Sequence, residues 1–312
     1  MKKILLWIIL FTLMATPVWS ASYYGCASAN INADSTFCAT PSGSCAGSDA
    51  VTAATALAGT HTLYANGCTV TINASFTATK ISTADGDGAG AAVAGGNFAV
   101  ATSTSPLTIT SSIEAGASEC LTITGSANAN PALTIAATTI VGGSTANDFG
   151  IGDAHTTGTV VITATTITGG SYTGTSIGYR SGGSGATTIT GNCVGGSSSG
   201  CVTASTNNIT ITGDCIGSDS TTSVGCEGVS TGLVTVVGNL IWGVKGPPAR
   251  DNFAWTPAAS NYVKTVGGTD VYASQAPAKN KVLSDTSVVI STTGAYEAGT
   301  AASGGTGGSY GF

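Results

Sequence analysis

The chain has 312 residues, 45 of them Gly, with 8% charged and 6% aromatic side chains and a formal net charge of −6. Charged residues stand far below the roughly 25% of ordinary globular usage, and the Gly, Ser, Thr and Ala content leaves little bulk for a large helical core. Disorder is excluded from the other side, because 42% of the residues are hydrophobic and disordered chains combine low hydrophobicity with high charge.

In chain order, residues 1–20 carry Lys2 and Lys3, an apolar run from Ile4 to Met14, then Pro17 and small residues about Ser20 and Ala21, the pattern of a secretory signal peptide. That run is shorter than the ~20 residues a spanning helix needs, so no membrane span is expected after cleavage. Cys26 follows Tyr23, Tyr24 and Gly25 without an aliphatic residue three positions before it, which speaks against lipid anchoring. Of nine basic residues, cleavage after Ser20 removes two, leaving seven against 15 acidic and a net charge of −8. With so few clustered cations, nucleic acid is not an expected partner. All nine cysteines fall in the exported part, where disulfides form, and the location expected is secreted or cell-surface.

Residues 21–67 hold Cys26, Cys38 and Cys45 and end just before Cys68, which reads as a Cys-rich N-terminal cap over an open sheet end. Strand signals follow at Thr69–Ile72, Leu107–Thr110 and Leu121–Thr124. An internal repeat then begins at Leu133, Val160, Thr187, Ile209 and Val234, with spacings of 27, 27, 22 and 25 residues. It sets Ile135, Ile162, Ile189, Ile211 and Val236 in one aliphatic column and Ile140, Ile167, Val194, Ile216 and Ile241 in a second. The columns lie five residues apart, and an odd spacing in a straight strand points to opposite faces. Both can face one interior only if the backbone turns between them. Gly191-Asn192, Gly213-Asp214 and Gly238-Asn239 supply residues suited to that corner.

A strand, a corner and another strand about every 25 residues predict an all-β, single-stranded parallel β-solenoid, or β-helix, over residues 68–246. After Gly246-Pro247-Pro248 the composition shifts: Lys245, Arg250, Lys264, Lys279 and Lys281 cluster there, near Trp242 and Trp255. Residues 247–297 read as a C-terminal cap or small domain, and 298–312 as a flexible Gly/Ser-rich tail. The Asn66-to-Ile72 entry and the Ile-Thr-Gly-Asn/Asp-Cys units at 189–193 and 211–215 resemble the Gly/Thr/Ser-rich parallel β-helix repeat proteins of phage tails and bacterial surfaces. The likeness covers about 65–250, and it implies structural, adhesive or glycan-contacting roles.

Cys193 and Cys201 bracket one Gly/Ser loop, and Cys215 and Cys226 the equivalent loop one repeat later. Local bridges 193–201 and 215–226 are favoured over a ladder of 193–215 and 201–226, since they need no special approach of adjacent strands. Zinc is disfavoured: no Cys-x-x-Cys occurs, and His61 and His155 are remote from these cysteines in sequence. Asp85-Gly86-Asp87-Gly88 lacks the remaining ligands of a calcium loop and reads as a solvated turn. No cofactor is expected. Asp148, Asp153 and His155 form the one acid–histidine grouping; catalysis would require them to meet on one outer face. Thr-x-Thr recurs at Thr108/Thr110, Thr122/Thr124, Thr163/Thr165, Thr188/Thr190 and Thr210/Thr212, and outward stacking of such pairs resembles ice-binding faces of Thr-rich solenoids. The expectation is an exported, non-enzymatic structural or adhesive surface protein that could assemble end to end into filaments. A glycan-binding or glycan-cleaving β-helix and an ice-binding solenoid are the alternatives.

Overall fold

Alternating Thr, Val and Ile favour extended pleats because β-branched side chains restrict χ1 and pack well across strands. A computed structural model describes residues 20–41, 49–84, 95–100, 107–125, 133–172 and 175–218, most of 220–255, and strands 262–264, 271–272 and 289–290. Residues 1–19, read above as most of a signal peptide, Cys45, the Asp85–Gly88 motif and residues 298–312 lie outside the described residues. The fold is all-β, 51% strand against 3% helix, with a 17-stranded and an 8-stranded sheet.

The chain alternates between the two sheets. Strands Leu107–Glu114, Leu133–Val141, Thr159–Thr168 and Ala186–Val194 belong to the first, and Leu121–Gly125, Ile151–His155, Tyr179–Ser181 and Cys201–Thr203 to the second. Each strand pairs in parallel with the one laid down on the next pass through the same sheet. Parallel pairing also extends past the limits of the sequence repeat: Ser22–Gly25 pairs with Thr62–Tyr64, and Val234–Val237 with Phe253–Trp255. At the N-terminal end, Phe37–Cys38 runs antiparallel to both Ser22–Gly25 and Ala50–Val51. Phe37 and Ile31 are both fully buried there, and Cys26 and Cys38 are each in a disulfide.

One large apolar cluster runs through the interior, and Phe149, Ile177 and Val202 form a second, small one. Ile135, Ile162, Ile189, Ile211 and Val236 are paired successively in register and fully buried. The second column requires a correction. Ile140 and Ile167 are in register with Cys193, Cys215 and Leu240, all buried, whereas Val194, Ile216 and Ile241 align with Thr168 and are half-buried. The register slips between Thr163 and Thr166, where Ala164 and Thr165 face a single residue, Gly191. The corner loses one residue, the spacing falls from five to four, and the side chain delivered inward moves back by one.

That corner is a backbone ladder. Gly191 and Gly213 have φ of +144° and +154°, and a β-carbon on Gly191, Gly213 or Gly238 would overlap the carbonyl oxygen of Ala164, Gly191 or Gly213 respectively. Beside it, the Asp214 N–H donates to Asn192 Oδ1 (2.9 Å) and the Asn239 N–H to Asp214 Oδ1 (2.8 Å). The Gly-Asn/Asp dipeptides recur because one residue must admit the neighbouring carbonyl and the next must hold the neighbouring amide.

Candidate functional site: an acid–histidine cluster inside the fold

On the inner face of the second sheet, Val100 and Ile123 are in register with Asp153, Ser181 and Thr203. The column therefore changes from aliphatic to polar midway. Asp153, His155, Tyr179 and Thr187 are at most 2% exposed, and buried polar groups of this kind must find partners. His155 Nδ1 lies 2.6 Å from Asp153 Oδ1, which also accepts the His155 backbone N–H at 3.1 Å. Because a carboxylate can only accept, the proton of that contact sits on Nδ1. Tyr179 OH donates to Asp153 Oδ2 at 2.6 Å and lies 2.8 Å from Thr187 Oγ1, which itself reaches Asp153 Oδ2 at 3.3 Å. One carboxylate thus ties together the strands Ile151–His155, Tyr179–Ser181 and Ala186–Val194.

His155 Nε2 is buried with no hydrogen-bond partner. A β-carbon on Gly185 would overlap the imidazole edge, so glycine is what lets the ring close against the turn. Burial pushes the imidazole down, but the hydrogen bond and charge of Asp153 outweigh it and raise His155 above its ordinary value. Burial, and then the Asp153 charge, hold the Tyr179 phenol well above its ordinary value. The polar column continues through Asn207, whose Nδ2 donates to Ser181 Oγ and whose Oδ1 accepts from Thr203 Oγ1.

The three residues singled out as a catalytic grouping do not meet on an outer face. Asp148 serves its own loop, accepting at Oδ2 from the Thr145 backbone N–H (3.0 Å) and the Thr145 hydroxyl, while Asp153 and His155 point inward. Tyr179 and Thr187 escape sequence reading, since each occupies a position held in the neighbouring strands by apolar residues, Ile151 and Cys201 for Tyr179, Val160 and Ile209 for Thr187. Glu119 escapes it as well. Its carboxylate lies over Gly152, accepts from Thr122 Oγ1 at 3.2 Å and interacts with Arg180, whose guanidinium stacks over Phe149 at 5.0 Å.

Cys193 is bonded to Cys201 and Cys215 to Cys226. Cys193 is in register with Cys215, and Cys201 with Cys226, so the two cystines stack, each crossing from the first sheet to the second. All four are fully buried. Cys68 and Cys120 are free, with burial raising both thiols. Among the described residues there is no group of three or more His, Cys, Asp or Glu placed to hold a metal, and no helix long and apolar enough to cross a membrane. The disulfides are consistent with an extracellular location.

On the exterior of the first sheet, Thr188 is in register with Thr210 and Thr235, and Thr163 with Thr190 and Thr212. The Thr122/Thr124 pair lies on the other sheet, so the five pairs do not form one array. No family model matches the chain, and no curated protein or solved structure is significantly similar to it.

Proposed function

We propose that this is an exported, non-enzymatic structural or adhesive surface protein, built as a single-stranded parallel β-solenoid with capped ends. The observation that supports it most is the alternation of the chain between two sheets in which successive passes pair in parallel. Nine successive parallel pairings run from Ser22–Gly25 to Phe253–Trp255, a stack of roughly 43 Å at about 4.8 Å per pairing. Such a stack is a rigid spacer that presents its flanks, and the partner expected on those flanks is a glycan or another surface ligand. The glycan-cleaving version is disfavoured by the inward placement of Asp153 and His155. End-to-end assembly has one obstacle: the antiparallel strands Phe37–Cys38 and Ala50–Val51 cover the N-terminal edge of the first sheet, and a covered edge does not template further pairing.

Light scattering and electron microscopy of the mature protein test this reading. Short rods that are monomeric, and that bind cell-surface glycans or whole envelopes without releasing reducing ends, support a spacer or adhesin. Long fibres would restore the filament version, and particles without an elongated axis would refute the solenoid. A second reading, contact with ice through the outward threonines, is favoured by the two in-register columns on the first sheet. Thermal hysteresis decides it; ordinary ice growth at high protein concentration ends it.

A further inference from the structure

The interior of a stacked β-fold is a place where an ionised pair carries a large desolvation penalty unless it is fully partnered. The Asp153 carboxylate meets that condition, receiving the His155 imidazole, the His155 amide, the Tyr179 phenol and the Thr187 hydroxyl. The imidazole meets it only when doubly protonated. In the neutral ring Nε2 is a bare, buried acceptor with no hydrogen-bond partner, whereas protonation turns it into a donor, the form of the ring that the Ala186 and Gly158 backbone favours.

We propose that His155 and Asp153 form a proton-operated lock, which holds the strands Ile151–His155, Tyr179–Ser181 and Ala186–Val194 together while the imidazole is charged and loosens this level of the stack when the proton is lost. It is independent of what the outer faces bind. The direction of the His155 shift agrees: Asp153 raises the group above its ordinary value despite burial. A base raised on folding contributes stability that is complete below its unfolded value of about 6.5 and is lost as pH rises through the folded value. The groups facing the ring are few. Its own strand presents Asp153 and the turn before Ala186–Val194 presents Gly185, while the Tyr179 phenol and the Thr187 hydroxyl reach the other oxygen of the Asp153 carboxylate. Opposite His155 in the remaining neighbour stands Gly125.

The test uses the intact, disulfide-bonded protein. Proton NMR follows the two imidazoles, with His61→Gln identifying which resonance is which. The expected result is that His155 titrates above about 6.5. Between about 6.5 and that titration point, the opening constant of the Ile151–His155 amides, measured by hydrogen exchange and corrected for base catalysis, rises by up to about tenfold per pH unit and then levels off, while amides near Val70 hold steady. Tyr179→Phe keeps the ion pair and keeps this pH slope; His155→Gln abolishes it. An imidazole titrating at or below about 6.5, or the same slope in His155→Gln, overturns the lock. If His155→Gln does not fold, the wild-type titration and exchange profile decide on their own.

Discussion

Ile162→Ala isolates the energetic unit of this fold. Ile162 is fully buried, with Ile135 on one side and Ile189 on the other in register. Truncating a buried Ile to Ala removes its transfer free energy and leaves a cavity, together about 2–5 kcal/mol depending on how far the site can collapse. Here collapse is hindered, because the flanking strands are pinned by backbone hydrogen bonds on both sides, so about 3–5 kcal/mol is expected. Thr163→Ala, one residue along and exposed, should stay within about 0.5 kcal/mol. A stacked array need not unfold in a single step, so the assay is urea unfolding by circular dichroism combined with amide exchange, disulfides intact. Exchange should accelerate in the strands about Ile135, Ile162 and Ile189 and leave those about Val70 near wild type, since each level contacts only its neighbours. An Ile162→Ala cost within about 0.5 kcal/mol of wild type, or a Thr163→Ala cost as large, would refute stacked burial as the source of stability.

The slipped register predicts that Ile167→Ala costs about 2–5 kcal/mol whereas half-buried Val194→Ala costs about 1 kcal/mol, read from the same urea curves. Cys193→Ala with Cys201→Ala should lower stability by about 2–3 kcal/mol without unfolding the levels around Val70, because the closed loop is short. Gly191→Ala should destabilise by at least about 1–3 kcal/mol in thermal melts, from its left-handed backbone and the Ala164 carbonyl against it. Burial raises the Glu119 carboxyl, with Thr122 and Arg180 offsetting part of that. A carboxyl raised on folding contributes stability below its unfolded value and loses it as pH rises through the folded value. Glu119→Gln should therefore stabilise the protein at pH 7 by under about 1 kcal/mol, and the gain should vanish near pH 4, as comparison of melting temperatures at the two values checks.

The first core column was legible because Ile and Val recur with alternation by two and a common spacing, a pattern that one buried face imposes directly. The second was misplaced by one residue in three copies. Cys193-Val194, Cys215-Ile216 and Leu240-Ile241 each offer two adjacent apolar side chains; hydropathy alone prefers Val194 and Ile216 to the cysteines and does not separate Leu240 from Ile241. The choice between them rests on whether the corner spends two residues, as at Ala164-Thr165, or one, as at Gly191.

The acid–histidine grouping is visible in the sequence, but the face it occupies is not. A polar residue at a period-two position reads as outward, and nothing local to Asp153 says that Tyr179, 26 residues on, will offer its phenol. The sequence by itself determined the all-β class and the repeating parallel strands, since these follow from short-range properties: β-branched alternation and glycine wherever two backbones touch. Tertiary structure alone decided the corner register, which cysteines stack across the interior, and the burial of Asp153 and His155. Those depend on what the next level of the stack places opposite each residue, and a charge can be buried only where partners from several levels converge on it.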